Sequence, residues 1–271
     1  MDEQMKQWVD RGYGFVRIPR TDLLPLCLVG GPKGNLQALG TVGRLVRGKD
    51  GEEVTLPTPK SDASTFAMDM GSSASFSAAA DASAVTSMLG SKGANIEASG
   101  KLSSECEMTL TYPSLKASAV SMDQLDRLFE LNIHREPPSD LAALADNRPG
   151  RVRDLLNAQR LLYVVMEVVQ ADQSVDLTVK KKGGGSLDAQ LQEDLAKASV
   201  SAERAKNDTF QLELTEPRTI AFRCLRLWWN DREQKWAFET MRNNEVLAFS
   251  EEPEADEIDS PADESGWVNL E

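Results

Sequence analysis

The chain offers little that an enzyme could work with. Its single histidine, His134, stands in a polar stretch shortly before Pro137 and Pro138 and reads as a solvated surface residue. Nothing in the sequence makes a Cys/His pair or a Ser/His/Asp arrangement around it, so the familiar hydrolytic routes are hard to assemble. The three cysteines, Cys27, Cys106 and Cys224, are too far apart for a compact metal or redox motif. Their odd number argues against a disulfide scaffold and for a reducing interior. Glu105 and Glu107 stand like paired carboxylates but share the polar face of a strand with Lys101, which reads as a wetted surface. No metal, cofactor or catalytic activity is expected. Apolar runs are short as well: Met1–Asp10 has no signal-peptide core, and nowhere do eighteen apolar residues follow one another. Neither a signal peptide nor a transmembrane helix is therefore expected. A membrane β-barrel stays open, because its strands need only about nine to eleven alternating residues each. Positive charge is in deficit too, with 30 basic against 43 acidic residues and a net charge of -13, which makes nucleic acid a poor partner. The deficit is complete in Ser250–Glu271, where nine acidic residues stand with no Lys or Arg.

What the chain has is alternation. From Ile96 to Tyr112 the even positions carry Ile96, Leu102, Met108 and Leu110 among small residues, while the odd ones carry Glu97, Lys101, Glu105, Glu107 and hydroxyl residues. Successive side chains of a strand point to opposite faces, so this is one long half-apolar ribbon. Phe66, Met68, Met70 and Phe76 alternate in the same way against Asp69, Ser73, Ser75 and Ser77. Between the two, Val85, Met88 and Leu89 fit one side of a short helix. The pattern recurs downstream, where Val175, Leu177 and Val179 oppose Asp176, Thr178 and Lys180, and Phe210, Leu212 and Leu214 oppose Gln211, Glu213 and Thr215. One design is thus used twice: long amphipathic strand, helix-bearing linker, long amphipathic strand. Soluble sheets seldom need this, since an ordinary strand has about five or six residues.

The rest of the chain frames these ribbons. Glu3–Arg11 reads as a helix that either packs on the domain edge or lies in a membrane interface with Lys6, Trp8 and Arg11 at lipid headgroups. Phe15–Ile18 is a strand ended by Pro19, and Pro25 makes Leu23–Val29 an edge strand or a loop. Leu36–Val46 fits helix or strand. Ser121 and Gln124 form a capping box for a helix through Leu131 that turns Leu125, Leu128 and Phe129 inward. Ser139 and the segment after Pro149 can each start a further short helix, and Ser186 another with Leu187 and Leu195. Leu161–Val169 is apolar on both faces apart from Glu167 and belongs inside a sheet. Lys180, Lys181 and Lys182, followed by Gly183–Gly185, end the next strand as a turn or as a contact to anionic headgroups. Ile220–Trp229 and Lys235–Thr240 look like a hairpin. The acidic tail reads as disordered until Trp267, Val268 and Leu270 restore apolar side chains.

The run Gly12-Tyr13-Gly14-Phe15-Val16-Arg17-Ile18-Pro19-Arg20, the stretch Leu24–Gly30, and Leu36-Gln37-Ala38-Leu39-Gly40 resemble the start of bacterial gasdermins. Gln124–Phe129, Leu162–Val165 and Ile220–Leu227 are similar to later parts of the same family, and the likeness covers nearly all of residues 10–240. The resemblance implies an α+β fold: a single domain with a central, twisted, mostly antiparallel sheet, surrounding helices and a short C-terminal autoinhibitory tail. Residues 1–249 would form the pore-forming domain and 250–271 the inhibitory peptide. An activating protease, often caspase-like in this family, would remove the peptide. The protein, cytoplasmic as an inactive monomer, would then meet anionic inner-membrane lipids and assemble with copies of itself into a large ring. Such a ring causes cell death, and antiphage defence is the expected purpose. Carried over, the two hairpins fall on about Ser64–Tyr112 and Gln170–Thr215.

Several residues take expected roles from this likeness. The lipid-facing positions would be Phe66, Met68, Met70, Phe76, Ile96, Leu102, Met108, Leu110, Val175, Leu177, Val179, Phe210, Leu212 and Leu214. Trp267, the only aromatic of the tail, would anchor it in an apolar groove with help from Val268 and Leu270. Asp256-Glu257-Ile258-Asp259 resembles a caspase recognition sequence, and a cut around Leu247 is equally open. Family members typically carry a lipid-modified cysteine among the first residues. Met1–Met5 has none, which leaves Cys27 or no cysteine for acylation. A different class also stays open: a soluble α+β binding or scaffold protein that recruits a partner through its acidic tail. Liposome leakage with and without the tail separates the two.

Overall fold

The computed structural model describes residues 3–31, 34–61, 76–80, 84–85, 106–135, 162–172, 174–187, 189, 192–193, 195, 209–230, 232–239 and 267–270. Helix α1 (Glu3–Asp10) leads into β1 (Tyr13–Arg20), β2 (Cys27–Gly30), β3 (Asn35–Thr41) and β4 (Val46–Arg47). After β5 (Phe76–Ala80), β6 (Cys106–Tyr112) and β7 (Leu115–Ala119) come α2 (Met122–Leu131) and β8 (Ile133–His134). Then follow β9 (Leu162–Ala171), β10 (Ser174–Lys181), β11 (Thr209–Glu213), β12 (Arg218–Asn230), β13 (Lys235–Glu239) and β14 (Trp267–Leu270).

The spine is the antiparallel pair of β9 and β12, both buried on both faces. Strands of this kind need cover on two sides. Their register slips between Thr219 and Ala221 and again between Arg223 and Cys224, and such irregularities add local twist and bend. The sheet curls accordingly until it closes on itself. The pairings run from β12 to β1, β14, β3, β2 and β9, and from β9 back to β12, which makes a six-stranded barrel. β13 and β7 extend its margins along β12 and β9. The expected central, twisted, mostly antiparallel sheet is thus a closed barrel and not simply a twisted sheet. The domain is α+β with a mixed sheet, because β14 runs parallel to both of its neighbours. Val16, Val29, Leu36, Val165, Phe222 and Val268 share one apolar cluster to which all six strands contribute, and that cluster fills the barrel.

Outside the barrel lie two more clusters. On one side α2 packs Leu125, Leu128 and Phe129 on Leu162, Val164, Met166, Leu225, Leu227 and Trp229. Its start is the expected capping box: the Ser121 side chain accepts from the Gln124 N–H, and the Gln124 side chain accepts from the Ser121 N–H. On the other side sits a separate four-stranded antiparallel sheet in the order β11, β10, β6, β5. Leu36–Val46, left between helix and strand by its sequence, divides into β3, a 3-10 turn at Val42–Arg44 and the start of β4. Pro19 does not end β1, which shifts register between Phe15 and Arg20 and continues through it. Pro25 precedes β2, which lies within the barrel wall between β3 and β9.

His134 is not a solvated surface residue. Its Nδ1 accepts the Trp236 backbone N–H at 2.8 Å, so Nε2 carries the proton and donates to the Phe129 carbonyl at 2.9 Å. The ring also tilts against Phe129 at 5.5 Å between centroids. Burial holds the pKa of this half-buried ring below its ordinary value. The unfolded chain therefore takes up a proton first as pH falls. The contribution of His134 to stability is complete above the unfolded pKa, near 6.5, and declines as pH drops from there toward the folded value. Urea midpoints at about pH 7.5 and about pH 5.5 are expected to differ more for the wild type than for His134→Gln, which cannot titrate.

Candidate functional site at the tail strand

Two faces meet where the four-stranded sheet covers the barrel. Met108, Leu110, Val175, Leu177, Val179, Phe210 and Leu212 point inward from the sheet and are all buried, as is Leu214 just past β11. They pack on Tyr13, Phe15, Val169, Ala171, Ile220 and Ala221 of the barrel and on Leu115 and Ala117 of β7. The outward face is polar, and its hydroxyl groups pair across strands: Ser77 with Thr111 at 2.8 Å, and Thr178 with Thr209 at 3.1 Å. Strands from both alternating regions thus lie side by side, with Leu177 opposite Leu110 and Val179 opposite Met108. The Phe76 backbone pairs with Tyr112. Phe66, Met68, Met70, Ile96 and Leu102 lie outside the described residues, as do Leu247, Asp256 and Asp259.

β14 enters beside this junction. Trp267 pairs with Phe15 and Val268 with Val16 on one side, while Asn269 and Leu270 pair with Asn35 and Leu36 on the other. Strand alternation sends the two apolar side chains in opposite directions. Val268 is wholly buried within the barrel cluster. Trp267 is half-buried, meets Phe15 edge-on at 6.1 Å and borders a cleft of about 300 Å³ shared with Arg17, Ala80, Leu110 and Tyr112. Two further contacts fix the end of the strand. The Asn269 N–H donates to the Gly34 carbonyl at 2.8 Å, and Arg20 Nη1 donates to the Leu270 carbonyl at 2.8 Å. Arg20 is itself aimed by Asp22, which accepts from Nε and Nη2 at 2.8 Å each. That paired hydrogen bond holds the Asp22 carboxyl below the usual carboxylate range.

The family model of the Bacterial Gasdermin Family matches residues 16–237. The chain belongs to that family. Membership makes it a pore-forming protein and not an enzyme. Its fold is similar to that of a bacterial gasdermin from Bradyrhizobium tropiciagri, at 15% identity and a TM-score of 0.54, over 99% of this chain and 96% of that one. The gasdermin A3 membrane pore matches at 12% identity and a TM-score of 0.36, over 88% and 91% of the two chains. No curated protein matches.

The other expected site residues of this gasdermin fall in varied surroundings. Lys180 and Lys181 end β10 and Lys182 follows, all exposed, with Lys180 opposite Glu107. Gly183, Gly184 and Gly185 all adopt positive φ, a conformation that costs side-chain-bearing residues, so the lysines end the strand at a turn only glycine makes cheaply. On α1 Lys6 is exposed, and Arg11, just past its end, is half-exposed. Trp8 turns inward, 5.2 Å from Phe15 and 5.7 Å from Tyr13, so in this form α1 is the helix packed on the domain and its tryptophan touches no headgroup. Cys27 is half-buried between the Leu24 N–H and the Asp22 carbonyl, and burial pushes its thiol up, away from the reactive thiolate. Among the described residues no helix is long and apolar enough to cross a membrane, which says nothing about strands.

Sequence reasoning missed three features of this site. The tail is held as a strand between β1 and β3, with Val268 deeper than Trp267. Arg20 reaches the tail carbonyl across 250 residues of sequence. Beneath the second sheet, Arg223 and Glu167 form a buried ion pair at 3.2 Å. Glu167 stood out in the sequence as the one charge in an apolar strand, but its partner lies in the register of β12 and β9, which no local pattern reveals.

Proposed function

We propose that this gasdermin is held inactive by residues 250–271, and that proteolytic removal of this segment frees it to assemble in the inner membrane. Each protomer would insert two amphipathic β-hairpins, with cell death as the outcome and defence against phage as the purpose. The observation that carries this reading is the four-stranded sheet, in which a wholly apolar face and a hydroxyl-rich face already exist on strands paired to one another. In lipid every backbone group needs a partner within the protein, and paired strands meet that demand. The apolar face that now packs on the barrel would meet acyl chains, and the polar face would line water. β6 has seven residues and β10 eight, short of the roughly nine to eleven that a bilayer requires. The alternation from Ile96 supplies the missing length. The scaffold reading gains nothing from the structure, since the apolar end of the tail is consumed by the barrel and is not displayed to a partner.

The experiment is dye release from vesicles containing anionic lipid. Full-length protein is expected to be inert, and protein cleaved within residues 247–259 is expected to empty the vesicles. A cleaved protein that stays folded and releases no dye would sink the proposal. Charge makes a second expectation. With the nine tail acids gone, Lys180, Lys181 and Lys182 face the membrane unopposed by them, each contributing about 1 kcal/mol near an anionic surface. Reversing all three to Glu is expected to reduce sedimentation of the cleaved protein with anionic vesicles at low salt and to leave neutral vesicles unaffected. Equal sedimentation would place these lysines away from the membrane.

A further inference from the structure

We propose that the space occupied by β14 is a peptide-binding slot, one strand wide, that accepts the Trp267–Leu270 sequence in trans and remains fillable after the tail has been cut. The inference rests on the autoinhibition reading for its effect on leakage, but not for binding itself.

Among the described residues β14 alone links β1 directly to β3, and none of its pairings is to an element adjacent in sequence. The described strand before it ends at Glu239, so a segment running to residue 266 separates the two. What seats the strand is thus a set of non-covalent contacts that a separate peptide can reproduce. The walls do not depend on the occupant for their own support. β1 is paired on its far edge to β12, and β3 on its far edge to β2. Gly31, just past β2, sits at φ +133°, where an added Cβ would come within 2.5 Å of the Asn35 carbonyl at the start of β3. Emptied, the two edges stand about 9 to 10 Å apart, the distance of two strand spacings. Closing that gap would require β1 and β3 to approach across Val16, Leu36 and Phe222, with only the volume of Val268 vacated between them.

The slot also has a code. Strand addition draws affinity from main-chain hydrogen bonds and specificity from alternate side chains. Val268 takes the inward position in a fully apolar interior, and Trp267 takes the outward one beside Phe15. Asn269 is exposed, so its position tolerates change. Arg20 supplies a charged donor to the carbonyl of the fourth residue, whatever its side chain. Leu270 packs partly buried against the same cluster, so the ligand class is an extended peptide of the form aromatic, β-branched aliphatic, any residue, aliphatic. Release of the cut tail becomes a reversible step, with an occupancy set by peptide concentration.

The test uses the full chain carrying a specific protease site at residues 251–257, folded first and cut afterwards. A fluorescein-labelled peptide of residues 260–271 is added in solution without membranes, and its polarisation is followed. The wild-type peptide is expected to exchange into the cut protein and not into the uncut one. A Val268→Asp peptide is expected to bind at least about tenfold more weakly, since a buried unpaired carboxylate is strongly disfavoured. Saturating wild-type peptide is also expected to slow dye release by the cut protein about tenfold or more, as mass action on a single site predicts. Absent or sequence-independent exchange overturns the slot, even if the cut protein leaks. Specific exchange by a cut protein that never leaks leaves the slot standing and overturns autoinhibition instead.

Discussion

Val268→Asp is expected to make the uncut chain release dye without any protease, at a rate close to that of the cleaved wild type. Val268 lies at 0% exposure among Val16, Val29, Leu36, Val165 and Phe222, so a carboxylate there would find no counter-charge and no water. Retaining an unpaired ion costs several kcal/mol even after relaxation, whereas burying a valine side chain contributes only about 1.5 to 3 kcal/mol. The desolvation cost wins: the four-residue strand leaves, and the charge goes into solvent with it. Asn269→Asp puts the same charge one residue along, on an exposed position, and is expected to stay inert. Trp267→Ala removes a half-buried ring and its contact with Phe15, and is expected to leak more slowly than Val268→Asp. Circular dichroism and sedimentation establish that each variant is folded and monomeric before vesicles are added. A folded, monomeric Val268→Asp protein that leaves vesicles intact would mean that the tail is held by something other than its place in the barrel.

Arg223→Met should produce the largest loss of stability of any single change proposed, about 3 to 5 kcal/mol in urea unfolding, because it strands a charge under the second sheet. Arg223 lies in register between Tyr13 on β1 and Glu167 on β9. Its guanidinium is 5.7 Å from the Tyr13 ring centroid, and its Nη2 is 3.2 Å from Glu167 Oε2. Glu167 has no solvent exposure at all. Burial first, and then the negative charge of Glu167, push the Tyr13 hydroxyl far above its ordinary pKa, so it stays protonated and gives no second anion to the cluster. Removing Arg223 thus leaves Glu167 as the uncompensated member. Adding Glu167→Gln to Arg223→Met removes that charge and is expected to recover a large part of the loss. A buried ion pair is often no more stable than a well-packed neutral replacement. If the double variant is as unstable as the single, packing of the Arg223 side chain, not its charge, carries the effect.

The parts of the fold that were legible are those whose information is local. Met108 and Leu110, Val175, Leu177 and Val179, and Phe210, Leu212 and Leu214 declared their faces by a period of two, and the structure buries every one of them. Ser121 and Gln124 marked a helix start three residues apart, and the box forms with both arms. The barrel was illegible because it depends on partners far away in sequence: Phe15 with Trp267, Gly30 with Leu162, Ala221 with Val169. Nothing near those residues specifies the curl, which goes with one extra residue on β12 and one on β9 that only become irregularities once the two strands lie together. His134 misled for a similar reason. Its polar neighbourhood in the sequence suggested solvent, yet the Trp236 backbone, 102 residues away, comes to meet it. At the tail, composition singled out Trp267 by size, while the geometry seats Val268 more deeply, since a strand's alternation decides which neighbour points into the barrel.

The order of synthesis gives the closing strand a further consequence. Chains emerge N-terminus first and begin to fold as they emerge, so β1, β2, β3, β9 and β12 are all available before Trp267 exists. Antiparallel pairing of β1 with β12, β12 with β9, β9 with β2, and β2 with β3 leaves β1 and β3 pointing the same way. Neither edge of the opening is adjacent in sequence to the strand that fills it, and a four-residue segment must find it across a loop closure spanning almost the whole chain. Every strand of the second sheet has therefore been synthesised before the strand that closes the barrel exists. Under the proposed mechanism, a ribosome that stalls within residues 240–266 would release a molecule already in its armed form.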